Sequence, residues 1–324
     1  MLALSRVFYV ASILPMSRTI GSKFERLIGK FVWSFSGKVL RVSLAELKLP
    51  YERGGLGLTC IHVMSKSLLL TQLLRLLKSD DYKSTCHISF WLGDILGDFD
   101  PTFDQGRHHT WVPDHFQTLA CVLADAKIAE VVTVHNWKSL TNRMVYCSNL
   151  SSLPIPKIEL EAGVSLALVW KRLRYSSLSA YVKETLFLLN HNKLPVKERL
   201  HRIRLTNDPF CDRCDNSIIC DLEHFFCVCN SVSETWTAVK LILTDLLNMD
   251  VSNSVLILLR FPKSSRDNEI TWLVGNYVNK VWEIIYGDGK THVSKDVMFG
   301  FLKYKYRCDQ LGARAPLNIP TLGV

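Results

Sequence analysis

Ten cysteines in one chain would ordinarily suggest a disulfide scaffold, and where these ten fall argues against it. Five of them, Cys211, Cys214, Cys220, Cys227 and Cys229, lie within 19 residues, with His224 among them. The other five, Cys60, Cys86, Cys121, Cys147 and Cys308, stand singly in apolar or mixed surroundings. A secreted disulfide framework is smaller and more evenly laced, so this distribution predicts a reducing compartment and one metal site. The cluster runs Cys211-Asp-Arg-Cys214, nine residues, His224, four residues, Cys229. Two thiolates two residues apart sit on one tight turn and grip an ion from one side, while the His and the last Cys approach from the following segment. Three sulfurs and one imidazole suit tetrahedral Zn²⁺, and four protein ligands leave no open position for a catalytic water. One structural zinc ion is therefore expected, with binding free energy that is partly folding free energy. Cys220 and Cys227 are spare thiols. Cys227, two residues before Cys229, is an alternative to it, and chance clustering of reduced cysteines is the competing explanation.

The rest of the chain sets the frame for that site. Its 324 residues are 48% hydrophobic, enough for a substantial core or for two domains of ordinary size. With 21% charged residues it is neither a disordered tail nor a coiled-coil rod. A membrane span needs about 18 uncharged apolar residues. The longest uncharged run near the start, Val7 to Ser17, has 11 residues and contains Pro15, which excludes an integral membrane protein. Net charge is +9 (39 Lys+Arg against 30 Asp+Glu) and unevenly spread. Residues 1–80 carry 12 basic and 4 acidic side chains, residues 81–160 carry 6 and 9, and residues 161–324 carry 21 and 17. Lys171 to Arg204 alone holds nine basic residues against Glu184 and Glu198. Such a local excess attracts polyanions, nucleic acid foremost; a solvated helix face is the alternative.

Apolar periodicity is mostly helical. Helices are predicted over 20–32, 61–77, 89–96, 111–132, 164–173, 179–189, 196–203, 232–247, 269–285 and 294–308. Trp33 to Val39 reads as a turn region and Pro50 to Gly57 as a Pro/Gly loop. Asp98 to Asp114, acidic and rich in turn residues, is the best linker candidate. The expected fold class is mainly α: helical bundle segments with a small structural zinc knuckle inserted between helices. The expected division is a helical region over 1–97, a variable linker with one helix over 98–156, a helical zinc-binding domain over 157–261, and C-terminal helices with a tail over 262–324.

Around the cysteines the residues resemble a known module. Leu189 to Ile203 reads LNHNKLPVKERLHRI, followed by Asp208-Pro-Phe-Cys211-Asp-Arg-Cys214, Leu222-Glu-His224-Phe-Phe226, Cys229 and Trp236. This is similar to the zinc-binding domain that follows the polymerase domain in reverse transcriptases of non-LTR (LINE-like) retrotransposons. That family's pattern is an LP-x-x-x-R-L turn after a helix, a C-x₂-C, a Glu-His-x-Phe step and a final Cys. Leu14-Pro15, Phe31-Val-Trp33 with Gly37-Lys38, and Pro50 with Gly54-Gly-Leu-Gly-Leu58 resemble the thumb and post-polymerase segment before the module. The likeness covers about residues 5–75 and 165–240. As a dinucleotide loop the glycines fail, since position 60 is Cys60.

A reverse transcriptase needs carboxylates on a palm strand to hold two metal ions, and the family's aromatic-x-Asp-Asp hairpin does not occur here. The one Asp-Asp pair, Asp80-Asp81, reads as a polar turn. The resemblance therefore implies a C-terminal part without polymerase active site or endonuclease, and no enzyme in its own right. Met1 to Ser17 passes weakly for a targeting segment, but the helical pattern continues past it, so a truncated larger protein is expected, intracellular and either nuclear or cytoplasmic. The implied partners are RNA or DNA and the polymerase part of the same element, with no membrane and no small-molecule substrate. Expected phosphate contacts are Lys193, Lys197, Arg199, Arg202 and Arg204, mostly without base specificity. The alternatives are a zinc-stapled interaction domain without enzymatic activity and a decayed element copy. Two further groups rank lower: Asp104, His108, His109, Asp114 and His115 as a second metal site, and Glu283 with Asp288-Gly-Lys290 as a nuclease centre.

Overall fold

The computed structural model describes residues 8–14, 16–32, 42–79, 82–98, 101–103, 111–128, 133, 137–151, 166–214, 217–312 and 319. The expected turn at 33–39, Asp80-Asp81, Asp104, His108 and His109 lie outside the described residues. In chain order the helices begin with α1 (Arg18–Val32), α2 (Leu44–Lys48), α3 (Ile61–Leu77), α4 (Tyr82–Leu96), α5 (Asp114–Ile128) and α6 (Asn142–Ser151). They continue with α7 (Leu166–Tyr175), α8 (Ala180–Asn190), α9 (Lys197–Arg202), α10 (Ser233–Leu247), α11 (Asn253–Ile257), α12 (Asp267–Trp282) and α13 (Lys295–Gly312). Among the described residues there is no strand, only an antiparallel bridge between Phe210 and Ile219. The chain is mainly α, as its periodicity predicts.

Two compact units emerge from the packing: residues 1–40 with 58–155, and residues 41–57 with 156–324. In the first, α3 is central. Leu69, Leu70, Leu73, Leu74 and Leu77 are buried with Leu92 and Leu96 of α4, Leu119, Val122 and Leu123 of α5, and Val145 of α6. Sequence periodicity assigns α3 a single face through Met64, Leu68, Leu69, Leu73, Leu76 and Leu77, of which Leu69, Leu73 and Leu77 are buried. The helix instead buries two faces, Ser65 and Ser67 included, because neighbours pack on both sides of it. Residues 98–156, expected as a variable linker with one helix, contribute α5 and α6 to this core. Their anchors are aromatic: Phe103 packs edge-on against buried Trp137, and Phe116 stacks on Trp91.

The second unit is organised by α12. From Ile270 to Asn279 every residue is buried, so the helix is a core element rather than an amphipathic one. Gly275 lets α8 come close: a Cβ there would stand 2.7 Å from Leu178 Cδ1 and 3.1 Å from Leu186 Cδ1. Thr185 Oγ1 donates to Asn279 Oδ1 at 2.9 Å in the same buried seam. Arg172 of α7 is also buried, and all five of its guanidinium N–H groups are used. They donate to the carbonyls of Leu259, Phe261 and Pro262 and to both carboxylate oxygens of Asp267, at 2.7–3.1 Å. The guanidinium also lies 3.7 Å from the centre of the Phe261 ring. On α10 the apolar residues of the sequence suggest an inward face of Trp236, Leu241 and Leu246, but Leu241 is 64% exposed. The inward stripe runs Trp236, Val239, Leu243, Leu246 at helical spacing, and position 241 falls on the opposite side.

Candidate metal centre

The knuckle between α9 and α10 is almost free of regular structure, and its backbone is tied by side chains and single bonds. Asp208 Oδ1 accepts the Phe210 N–H at 3.1 Å, and Thr206 Oγ1 donates to the Asp208 carbonyl. Cys211 N donates to Ile218 O, and Cys220 N to Pro209 O, so residues 209–220 double back as a minimal hairpin. Asp221 then caps a short helical stretch that starts at Leu222 and runs on through His224–Val228, its Oδ1 accepting the His224 N–H at 2.7 Å. That stretch swings His224 and Cys229 back toward the hairpin, and Cys229 N donates to His224 O at 2.9 Å.

Cys211, Cys214, His224 and Cys229 converge, with ligand atoms all within 4.8 Å of one another; no other group of three or more potential ligands does so among the described residues. Cys211 Sγ and Cys229 Sγ are 3.7 Å apart, and Cys214 Sγ is 3.3 Å from His224 Nε2. A tetrahedral ion with ~2.3 Å bonds to sulfur spaces its sulfurs by roughly 3.8 Å and a sulfur–nitrogen pair by roughly 3.5 Å. The edges match. His224 Nδ1 is buried and has no hydrogen-bond partner among the described residues, so the ring is held by packing and by what Nε2 binds.

The electrostatics of the bare cluster point the same way. Burial pushes the Cys211 thiol up, but the Arg213 backbone N–H and the side chains of His224, Cys214 and Cys229 outweigh it and bring its pKa to about 6. Cys214 is pushed up to about 12, by burial first and then by Cys211 and Cys229 beside it. Without a cation the cluster favours one thiolate and resists the next; a divalent ion reverses that penalty. The residues therefore fit a thiophilic tetrahedral ion, which when bound would cross-link hairpin and helical stretch. Of the spare thiols, Cys220 is buried near Cys211 with its pKa raised to about 11, mainly by burial. Cys227 is buried and raised further, and the charged groups that act on it are Glu223, Lys240 and Asp221. Neither belongs to the converging four.

Residues 163–236 match the family model described as zinc-binding in reverse transcriptase. The match supports a reverse-transcriptase-associated zinc domain over that segment, and the four converging ligands all lie inside it. No curated protein and no solved structure matches the chain at a significant level.

Support for the zinc domain comes from residues that spacing alone does not reveal. Ser231 Oγ donates to Cys229 Sγ at 3.3 Å and accepts from Arg213 Nη1 at 3.0 Å. The Arg213 guanidinium lies 4.3 Å from the Phe225 ring centre, and Phe225 stacks on Tyr286, which stacks on Trp282 at 4.2 Å. Tyr277 Oη donates to Phe226 O at 2.7 Å. Asp221 is the one legible member, as an N-cap three residues before His224.

The expected phosphate contacts meet different fates. Lys197 is ion-paired with Asp208, at 3.3 Å, and with Asp212. Arg199 Nη1 donates to the Lys193 carbonyl at 2.8 Å. Lys193 is half-buried, whereas Arg202 and Arg204 are exposed. Glu283 is paired with Lys280 at 3.2 Å, and Asp288 faces Lys290 at 3.9 Å; with no third ligand they form no converging group. Asp114 opens α5, and His115 packs edge-on against Phe116. No described helix is long and apolar enough to cross a membrane.

Proposed function

We propose that this chain is a nucleic-acid-binding, C-terminal part of a non-LTR (LINE-like) retrotransposon reverse transcriptase, holding one structural Zn²⁺ on Cys211, Cys214, His224 and Cys229. On this reading it has no polymerase site of its own, and residues 1–97 are thumb and post-polymerase structure. The observation that carries the proposal is the Cys₃His convergence within the segment that matches the zinc-binding family. Exposed Arg202 and Arg204, next to that knuckle, supply positive charge for phosphates. Lys193 adds to it, while Lys197 and Arg199 contribute after reorganisation of their present bonds. The test is the affinity for single-stranded RNA and for duplex DNA across a salt series, in the wild type and in an Arg202→Glu, Arg204→Glu variant. Each lost phosphate contact lowers the slope of log affinity against log salt by about 0.9 on duplex DNA and about 0.7 on single strands. An affinity unchanged between low and physiological salt sinks the proposal.

One set of observations favours a second reading, a zinc-stapled module that docks on protein. Leu205, Phe210, Ile218 and Ile219 are exposed around the knuckle, and Lys197 is already neutralised. Nucleic-acid binding that ignores the two arginines, together with capture of the polymerase part of the same element, would select it.

A further inference from the structure

A cavity of about 420 Å³ lies along α7, lined by Tyr51, Glu52, Trp170, Lys171, Arg174 and Tyr175 among others. It combines two chemistries. Tyr51 is 39% exposed and Tyr175 68% exposed, while Lys171 and Arg174 are exposed cations on the same helix. The Arg174 guanidinium sits 4.4 Å from the centre of the Tyr51 ring and 5.6 Å from that of Tyr175. Trp170, in the wall, is only 4% exposed, and its indole N–H is buried without an acceptor among the described residues.

The wall that carries Tyr51 is fixed rather than loose. Tyr51 opens a short turn, Tyr51–Arg53, closed by Gly54 at φ 83°, where a side chain would meet the Trp170 ring at 2.7 Å. His191 Nε2 donates to the Gly54 carbonyl at 2.7 Å, and its ring stacks on Trp170 at 5.0 Å. The Gly-Gly turn that fails as a dinucleotide loop thus has a different use: it presents an aromatic ring, preorganised, beside a cation.

We propose that this cavity holds one unpaired nucleotide of a single-stranded nucleic acid, its base stacked on Tyr51 or Tyr175 and its phosphate on Lys171 and Arg174. Aromatic faces beside a basic track are what single-strand binding requires, because every base has a stacking face and duplex bases do not expose theirs. The Glu52 carboxylate confines the phosphate to the α7 side and accepts from a base N–H, such as N3–H of uracil. This deepens the nucleic-acid reading above and rests on it.

The experiment uses the full chain loaded with zinc, a fluorescently labelled oligouridylate, and a labelled duplex of the same length. Tyr51→Leu and Tyr175→Leu, checked for unchanged metal content and helicity, should each weaken single-strand binding about tenfold and leave duplex binding unchanged. Arg174→Gln should weaken both. On the wild type, a 5-bromouridine-substituted oligonucleotide should photocrosslink to peptides bearing Tyr51 or Tyr175. Equal losses for single strand and duplex, or crosslinks confined to residues 196–214, overturn the inference. Competition by free uridine monophosphate as effective as by the oligonucleotide assigns the cavity to a mononucleotide and overturns the strand assignment. Should Arg202→Glu, Arg204→Glu abolish binding while the tyrosine variants do nothing, the cavity inference fails and the nucleic-acid reading stands. The converse result keeps the cavity and removes the arginines. A wild type that binds no nucleic acid overturns both.

Discussion

Residues 206–223 and helix α12 belong to the same unit and are held by unlike forces. On α12 every residue from Ile270 to Asn279 is buried. Over 206–223 the buried residues among those described are Cys211 and Cys220, and hydrogen bonds to single backbone groups fix the course of the chain. Ordering backbone costs about 1–2 kcal/mol per residue, and burial of two thiols cannot offset that over such a length. The difference teaches where a metal is needed. Zinc-finger peptides gain about 10–16 kcal/mol from their ion, and the knuckle has the ligands to draw on a similar source. The bundle around α12 draws on apolar burial.

Replacing two ligands, as in Cys214→Ser with His224→Ala, should separate the two regions most sharply. Hydrogen exchange over 206–231 is expected to rise toward that of an unfolded chain, while amides of residues 270–276 stay protected. Because Phe225 and Phe226 pack on Trp282 and Tyr277 supports the Phe226 carbonyl, exchange should also quicken at the C-terminal end of α12. Uniform loss of protection along α12 would erase the distinction.

On the other side of the comparison, Arg172→Met should destabilise the bundle by about 3–5 kcal/mol, measured by denaturant unfolding, with metal content unchanged. It leaves Asp267 without its partner and three loop carbonyls without donors. Leu259, buried at φ 57°, loses the bond that holds its carbonyl in that left-handed conformation. A change below about 1 kcal/mol would place the arginine outside the core account. A smaller effect is expected from Ser231→Ala, which removes the hydroxyl donated to Cys229 Sγ. Metal affinity should fall about tenfold, read by competition with a chromophoric chelator, without loss of helix.

The gentlest prediction concerns pH. His191 donates from Nε2 to Gly54 O, its Nδ1 is buried without a partner, and burial above all holds its pKa below the ordinary 6.5. The folded chain keeps it neutral while the unfolded chain takes up a proton at about 6.5. Stability contributed by this site is therefore present above that pH and falls as pH drops below it. Unfolding curves of zinc-loaded wild type and His191→Gln should diverge in slope below 6.5, and parallel curves would contradict the assignment.

Much of this was legible in the sequence, and the failures share a cause. Helices α3, α8 and α10 follow from apolar spacing, and the four converging ligands from Cys and His spacing, because both patterns are local. Arg172 reads as one more cation in a basic run, since its partners lie 87 to 95 residues away. Lys197 reads as a free cation, and its ion pairs with Asp208 and Asp212 form only when the knuckle folds back onto it. Residues 98–114 read as linker because turn residues and acids outnumber aliphatics, while the packing there is carried by aromatic rings, Phe103 against Trp137 and Trp111 against Trp91. The exposed Tyr51 beside Arg174 has no signature at all, because the pair is made by a turn and a helix more than a hundred residues apart.

The central claim is that one ion organises the knuckle. The most direct measurement is metal content of the purified chain by mass spectrometry, with circular dichroism before and after chelation. The account predicts one zinc per chain, bound to the Cys₃His group, and a partial loss of helical signal on its removal that zinc restores. A fully folded chain that carries no metal, with a spectrum indifferent to chelator, would contradict it and leave the four residues as buried thiols around a histidine.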